Sequence, residues 1–283
     1  MPQDGTKGMD GLATGKFRVA HGHDMPNPGD LFAGRYNIEK MVGRGGMGEV
    51  YMATQSPLNR RVALKILKAP ESLEDDPNFD ARFLREAAAA ARLQHPNTIT
   101  VYDFGQDEIG RLYIVMEFLA GNDLRTVLAH QGIFSAQRAI HVAKQVCKSL
   151  REAHAKGIIH RDLKPANVLL IDRDEDTDFV KVLDFGLVKF RDEVSEITLA
   201  GKFLGSPKYT SPEALDRHAN VDHRADIYAV GILLYAMLTG APPFDGDPIQ
   251  VLNAHLHETP RPMYRMNPAA QTTPELEALV SRC

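Results

Sequence analysis

Tryptophan is absent from the 283 residues, cysteine occurs only at positions 147 and 283, and the longest apolar run stops at twelve residues. Cys147 and Cys283 lie far apart without metal-ligand spacing, which excludes a disulfide framework and a zinc site and fits a reducing cytoplasmic setting. The apolar run, Ile227 to Leu238, contains Gly231 and two tyrosines and is shorter than the roughly 20 residues of a spanning helix. It reads as a buried core helix, with no membrane segment in the chain. Positive charge is not in excess: 33 Lys and Arg stand against 37 Asp and Glu, a net charge of −4, so no basic footprint for nucleic acid appears. The opening residues lack the apolar stretch of a secretory signal, and residues 1–30 are expected to be a flexible leader.

What is present is enough apolar sequence, 43%, to build a full core in one large domain or two lobes. Strand patterns cover Tyr36 to Val42, Val50 to Gln55 and Arg61 to Leu67, with Ser56-Pro57-Leu58-Asn59 as a turn. A helix is expected over Phe79 to Leu93, then strands over Thr98 to Phe104 and Arg111 to Phe118. Beyond Asn122 the pattern turns helical. Ser135 to Lys156 places Ile140, Ala143, Cys147, Leu150 and His154 on one face, and further helices are expected at Asp226 to Thr239, Pro248 to His257 and Pro274 to Cys283. Between them, the apolar runs Val168 to Ile171 and Phe179 to Leu183 flank an acidic stretch, Asp172 to Asp178, that reads as a solvated hairpin tip.

The chemistry-bearing residues cluster. His160-Arg161-Asp162-Leu163-Lys164-Pro165-Ala166-Asn167 is followed seventeen residues later by Asp184-Phe185-Gly186. Asp162 supplies a carboxylate to take a hydroxyl proton, Lys164 a cation for a moving phosphoryl group, and Asn167 and Asp184 the hard oxygen donors that Mg²⁺ prefers. Gly43-Arg44-Gly45-Gly46-Met47-Gly48-Glu49-Val50 fits a loop whose missing Cβ atoms let backbone amides approach phosphates. Because Val50 to Ala53 continue as a strand, the loop does not open a helix as a dinucleotide-binding turn does. Lys65 stands in the apolar strand Val62-Ala63-Leu64-Lys65, where an unpaired ammonium is costly; Glu86 and nucleotide phosphates are candidate partners.

In this order the motifs resemble those of protein kinases, in particular the bacterial Hanks-type serine/threonine kinases, over about Leu31 to Cys283. The resemblance implies an α+β, bilobal fold: a small β-rich lobe with one main helix (about 31–118) and a larger, mainly α-helical lobe (about 119–283). It implies transfer of the γ-phosphoryl of ATP to protein Ser or Thr hydroxyls with Mg²⁺, or Mn²⁺ in its place. By the same resemblance Lys65 holds the α and β phosphates and pairs with Glu86, while Val42, Val50, Ala63 and Leu169 enclose the adenine. Met116 then takes the gatekeeper position, the backbone of Glu117 and Leu119 meets the adenine edge, and His160 braces the loop.

The stretch from Asp184 to Glu213 resembles an activation segment. Thr198, and secondarily Ser195, are candidate phosphosites facing Arg161, and Ser206 stands where the family carries a threonine that touches the catalytic Asp and Lys. Ser211-Pro212-Glu213 replaces the commoner Ala-Pro-Glu. The family continues to an arginine that pairs with the glutamate here numbered Glu213, and the chain stops at Cys283 before one, so the expectation is a fragment of a longer polypeptide, with an incomplete large lobe as the alternative. A partner-binding scaffold without turnover is the competing class, but it predicts loss of Lys65, Asp162 or Asp184, and all three are present. A small-molecule kinase generally lacks such a long segment before Pro-Glu. Asp123 is left between a ribose contact, a substrate contact and an ordinary surface carboxylate.

Overall fold

The structure is a computed structural model and describes residues 25–45, 48–68, 78–185, 206–215, 221–270 and 272–283. Six antiparallel strands form the first sheet: β1 (Leu31–Phe32), β2 (Tyr36–Gly45), β3 (Gly48–Gln55), β4 (Arg60–Leu67), β5 (Val101–Gln106) and β6 (Leu112–Glu117). Their order is β1-β2-β3-β4-β6-β5. Five of these match the sequence patterns. The sixth, β1, is a two-residue edge that pairs Leu31 with Asn37 and Phe32 with Tyr36.

The period-two alternation of β4 decides which side each residue serves. Val62, Leu64 and Ile66 are fully buried with Tyr36, Ile38, Tyr51 and Val115 on one face. Ala63 and Leu67 pack on the other, against Phe79, Phe83 and Ala87 of α1 (Phe79–Ala90). Lys65 shares the parity of Ala63 and Leu67, so it lies on the face that meets α1. Along α1 the inner stripe is Phe79, Phe83, Glu86, Ala87 and Ala90, a helical spacing in which Glu86 is the one charged member.

The second region is mainly helical: α2 (Leu124–Gln131), α3 (Ala136–Ala155), α4 (Arg224–Thr239), α5 (Pro248–His257), α6 (Met263–Met266) and α7 (Pro274–Val280). A small sheet of order β7-β8-β9 completes it, from β7 (Asn122–Asp123), β8 (Val168–Arg173) and β9 (Asp176–Val182). As its composition requires, α4 is buried along almost its whole length and centres the core with Val146 and Leu150 of α3 and Val168 and Val182 of the small sheet. Burial of each such aliphatic side chain contributes roughly 1.5–3 kcal/mol. Gly231 is needed there, because a Cβ on it comes within 2.6 Å of Cys283 Cβ. Among the described residues no helix is long and apolar enough to cross a membrane.

Two expectations need correction. The buried stripe of α3 is Ala139, Val142, Ala143, Gln145, Val146, Ser149, Leu150 and Ala153, so Cys147 is exposed and the face is rotated by about one residue from the expected one. The acidic stretch is also not all hairpin tip, because β9 already begins at Asp176. Asp178 is clamped by Arg138 Nε and Nη2, both at 2.8 Å, and Asp176 by His141 at 3.0 Å.

Candidate active site

After α3 the chain must turn sharply to present its polar residues, and Arg161 takes a left-handed φ of 63° to do so. A non-glycine residue holds that conformation only when its surroundings over-determine it. Asp226, at the start of α4 and 1% exposed, does this: Oδ2 accepts from the His160 amide and Oδ1 from the Arg161 amide, each at 2.9 Å. His154 Nε2 lies 2.7 Å from the same Oδ2. Burial by itself raises the Asp226 pKa; the His154 bond, the nearby His160 ring and the two amides outweigh it and hold the carboxyl below its ordinary value.

His160 is fully buried and braces the loop, as expected. Its Nε2 donates to the Leu183 carbonyl at 2.8 Å, its Nδ1 accepts from the Asp162 amide at 3.3 Å, and its ring lies 4.7 Å from that of Phe185. These contacts tie the segment bearing Asp162 to the segment bearing Asp184. The Leu183 amide adds a bond to the Asn167 carbonyl at 2.9 Å.

Around Asp162 the polar atoms converge. Lys164 Nζ donates to Asp162 Oδ2 at 2.7 Å and to Ser206 Oγ at 2.9 Å. Ser206 thus makes the lysine contact expected of it. Asn167 Nδ2 donates to the Asp162 carbonyl at 2.8 Å and lies 3.3 Å from its carboxylate, so Oδ1 is the Asn167 atom left as an oxygen donor. Asp184, at φ 58°, meets Lys65 Nζ at 2.8 Å across the cleft. Burial pushes the Asp184 pKa up, but the charge and hydrogen bond of Lys65 outweigh it, and the carboxyl sits below the usual range. Sequence reasoning offers Glu86 and nucleotide phosphates as candidate partners of Lys65; the structure brings the Asp184 carboxylate to the ammonium, with Glu86 buried on α1. How far a helix stands from a strand is a tertiary quantity that neither segment encodes.

On the nucleotide side, registry lines up the expected residues: Gly43 faces Val50, Val50 faces Lys65, and Ala63 faces Met116. Met116 is buried and, with Ala87, Ala90, Ile114, Asp184 and Phe185, lines a small recess behind this strip. Val42 is 45% exposed, while Leu119 and Leu169 are half-buried. The glycines differ in kind. Gly48 has φ 135°, and a Cβ there falls 2.0 Å from the Ile66 carbonyl oxygen, so the fold itself requires it. Gly45 has nothing within 4 Å of the position of a Cβ among the described residues. Arg44 closes the loop by pairing with Glu49 at 2.9 Å. Gly46, Met47, Ser195 and Thr198 lie outside the described residues.

Residues 36–283 match the protein kinase domain family. The chain belongs to the protein kinase family. Among curated proteins it is 44% identical over 258 residues to the serine/threonine-protein kinase pkn3 of Myxococcus xanthus, covering 90% of this chain and 47% of that protein. It is 42% identical over 251 residues to the serine/threonine-protein kinase PknB of Mycolicibacterium smegmatis, covering 87% and 39%. The chain therefore spans less than half the length of these relatives. Among solved structures, the PknI kinase domain of Mycobacterium tuberculosis superposes with a TM-score of 0.69 at 30% identity, covering 91% of this chain and 90% of that one. The bilobal protein-kinase fold and the bacterial Hanks-type serine/threonine branch follow from these matches, and membership of the family implies use of ATP and a divalent metal.

Within this kinase domain, three residues carry more than the sequence reading gave them. Asp226 entered only as the first residue of an expected helix, yet it fixes the backbone ahead of Asp162. Asp123 caps α2, accepting from the Thr126 amide at 2.9 Å, where the pattern turns helical. Lys181 was missed, although Phe179-Val180-Lys181-Val182-Leu183 carries the same signal that singled out Lys65: one lysine in an apolar strand.

Proposed function

We propose that this domain is an ATP-dependent serine/threonine protein kinase that transfers the γ-phosphoryl group to hydroxyls of proteins, itself included. The observation that carries the reading is Lys164, which bridges the Asp162 carboxylate at 2.7 Å and the Ser206 hydroxyl at 2.9 Å. A carboxylate able to take a proton and a cation thus stand side by side next to Ser206. The substrate hydroxyl oxygen forms a bond to the γ-phosphorus as the bond to the β–γ bridging oxygen breaks, and ADP leaves. Asp162 takes the hydroxyl proton, while Lys164 offsets charge on the phosphoryl oxygens.

Asn167 Oδ1 and the Asp184 carboxylate form a hard-oxygen pair of the kind Mg²⁺ takes, and the missing side chain at Gly45 suits a phosphate tail. Asn167 and Asp184 would hold Mg²⁺, or Mn²⁺ on the same donors, and the ion would supply neutralisation of phosphate charge. Lys65 orients the α and β phosphates, and Val42, Val50, Ala63, Met116 and Leu169 form the adenine slot. Phosphorylation of Thr198, with Ser195 second, supplies an anion to Arg161. A reducing cytoplasm fits the cysteine content and the need for ATP. Transfer of labelled γ-phosphate from MgATP to the protein and to a basic test protein, beside Asp162→Asn, tests the reading. Label that vanishes in the variant supports it; MgATP binding without any label overturns it.

A further inference from the structure

Lys181 has no part in phosphoryl transfer, yet it sits in β9 at 7% exposure. Its ammonium donates to Glu117 Oε1 at 2.6 Å and to the Thr98 carbonyl at 3.3 Å. The same Glu117 oxygen accepts the Thr100 amide at 2.8 Å, and the Glu117 amide donates to the Thr100 carbonyl at 3.0 Å. Glu117 is therefore held from its side chain and its amide together. Its backbone is the part read above as meeting the adenine edge. In β9 the register partner of Lys181 is Leu169 on β8, the residue read as the opposite wall of the adenine slot. One ammonium thus joins the end of β6, the stretch at Thr98 to Thr100, and the sheet that carries Leu169. A lysine so buried persists only when paired, which fixes the distance between the segments it joins.

We propose that the Lys181–Glu117 ion pair is a positioning clamp for the adenine base: it sets the spacing between the Glu117 backbone and Leu169. The proposal rests on the reading above, in which these two residues flank a nucleotide. Lys181 touches no ligand; it acts through Glu117. The clamp lies at the base end of the slot, so its effect is independent of the phosphates. A cross-link with only a structural role lowers the unfolding temperature and leaves ligand preference alone.

The test is calorimetric titration of the protein, Lys181→Met, Glu117→Gln and the double variant with adenosine and, separately, with MgATP. Each single variant is expected to weaken both ligands by the same factor, roughly ten-fold, as a displaced binding group does. In transfer assays KM for ATP rises by that factor while kcat at saturation changes less than about two-fold. The double variant recovers part of the loss, because no buried charge is left alone. A folded variant with unchanged adenosine affinity overturns the clamp, and so does a loss confined to MgATP, which places the effect at Asp184 instead. If Lys181→Met does not fold, Glu117→Gln, which retains an oxygen for the Thr100 amide, answers by the same criterion. A parent that binds neither ligand overturns the nucleotide reading itself; a parent that binds both beside unaffected variants overturns only the clamp.

Discussion

The two motif loops facing each other across the cleft are built on opposite plans. Around Asp162 the backbone is strained and buried, and each turn is held by a side chain from elsewhere: Asp226 on the His160 and Arg161 amides, His160 on Leu183, Asn167 on the Asp162 carbonyl. Among the described residues of the glycine loop, Arg44 pairs with Glu49 across the strands, and only Gly48 of the glycines is fixed by packing. The difference follows from what each must do. Groups that move a proton need their geometry set before the substrate arrives, because misplacement of even about 1 Å costs orders of magnitude in rate. A loop that covers phosphates has to admit them first, and a glycine at position 45 that packs on no described residue serves that better than a rigid wall.

The sharpest way to break the contrast is to remove chemistry from the rigid loop without touching its frame. Asp162→Asn keeps size and an oxygen acceptor for Lys164, and it is expected to lower phosphoryl transfer by about 10²–10⁴-fold, the usual worth of a positioned base. The thermal unfolding midpoint should stay near that of the parent. A variant that transfers phosphate at the parental rate removes Asp162 from the reaction.

Removing the frame instead should cost stability as well as rate. Asp226→Ala leaves two loop amides and His154 without their acceptor, and loss of such a buried partner costs about 3–5 kcal/mol, read as a lower urea midpoint. Within the glycine loop the two positions should part. Gly48→Ala forces a Cβ to 2.0 Å from the Ile66 carbonyl, so the strands must move, at about 1–3 kcal/mol. Gly45→Ala meets nothing within 4 Å among the described residues and should stay within about 0.5 kcal/mol of the parent, its effect confined to the KM for ATP. Equal destabilisation by the two substitutions erases the distinction between a glycine kept for the fold and one kept for the ligand.

What was legible in the sequence divides along the same line. Lys65 was named because a lone ammonium in an apolar strand is costly without partners, and Asp162, Lys164, Asn167 and Asp184 because their spacing groups a base, a cation and hard oxygen donors; the structure brings them to one cleft. The strands of the first sheet were legible because alternation is a local property, and α4 because it is apolar on all sides. Partnerships across the fold were not legible. Nothing local distinguishes Asp184 from Glu86 as the partner of Lys65, or ties Glu117 to Lys181 across 64 positions. The face of α3 was displaced because Val142 and Val146 fit a neighbouring stripe equally well, and only the position of α4 chooses between them. Asp123 had a plain capping signal, a carboxylate three residues ahead of the amide it accepts, that was passed over in favour of ligand contacts.

The smallest expected effect is the pH dependence of the frame. Asp226 has a folded pKa below its unfolded value of about 3.9, so the unfolded chain binds its proton first as pH falls. Its contribution is therefore fully present above pH 4 to 5 and is lost as pH drops through the folded pKa; it does not change between pH 6 and 8. Asp184 shifts in the same direction through Lys65, but it is more exposed and its pair is open to rearrangement when a ligand enters. Asp226→Asn should consequently flatten the acid limb of the stability curve below about pH 4, and Lys65→Met should flatten it less. Urea midpoints measured from pH 3 to 7 give both slopes. A larger flattening from Lys65→Met assigns the acid-sensitive strength of the domain to the cleft rather than to the frame beneath the catalytic loop, and reverses which of the two regions counts as rigid.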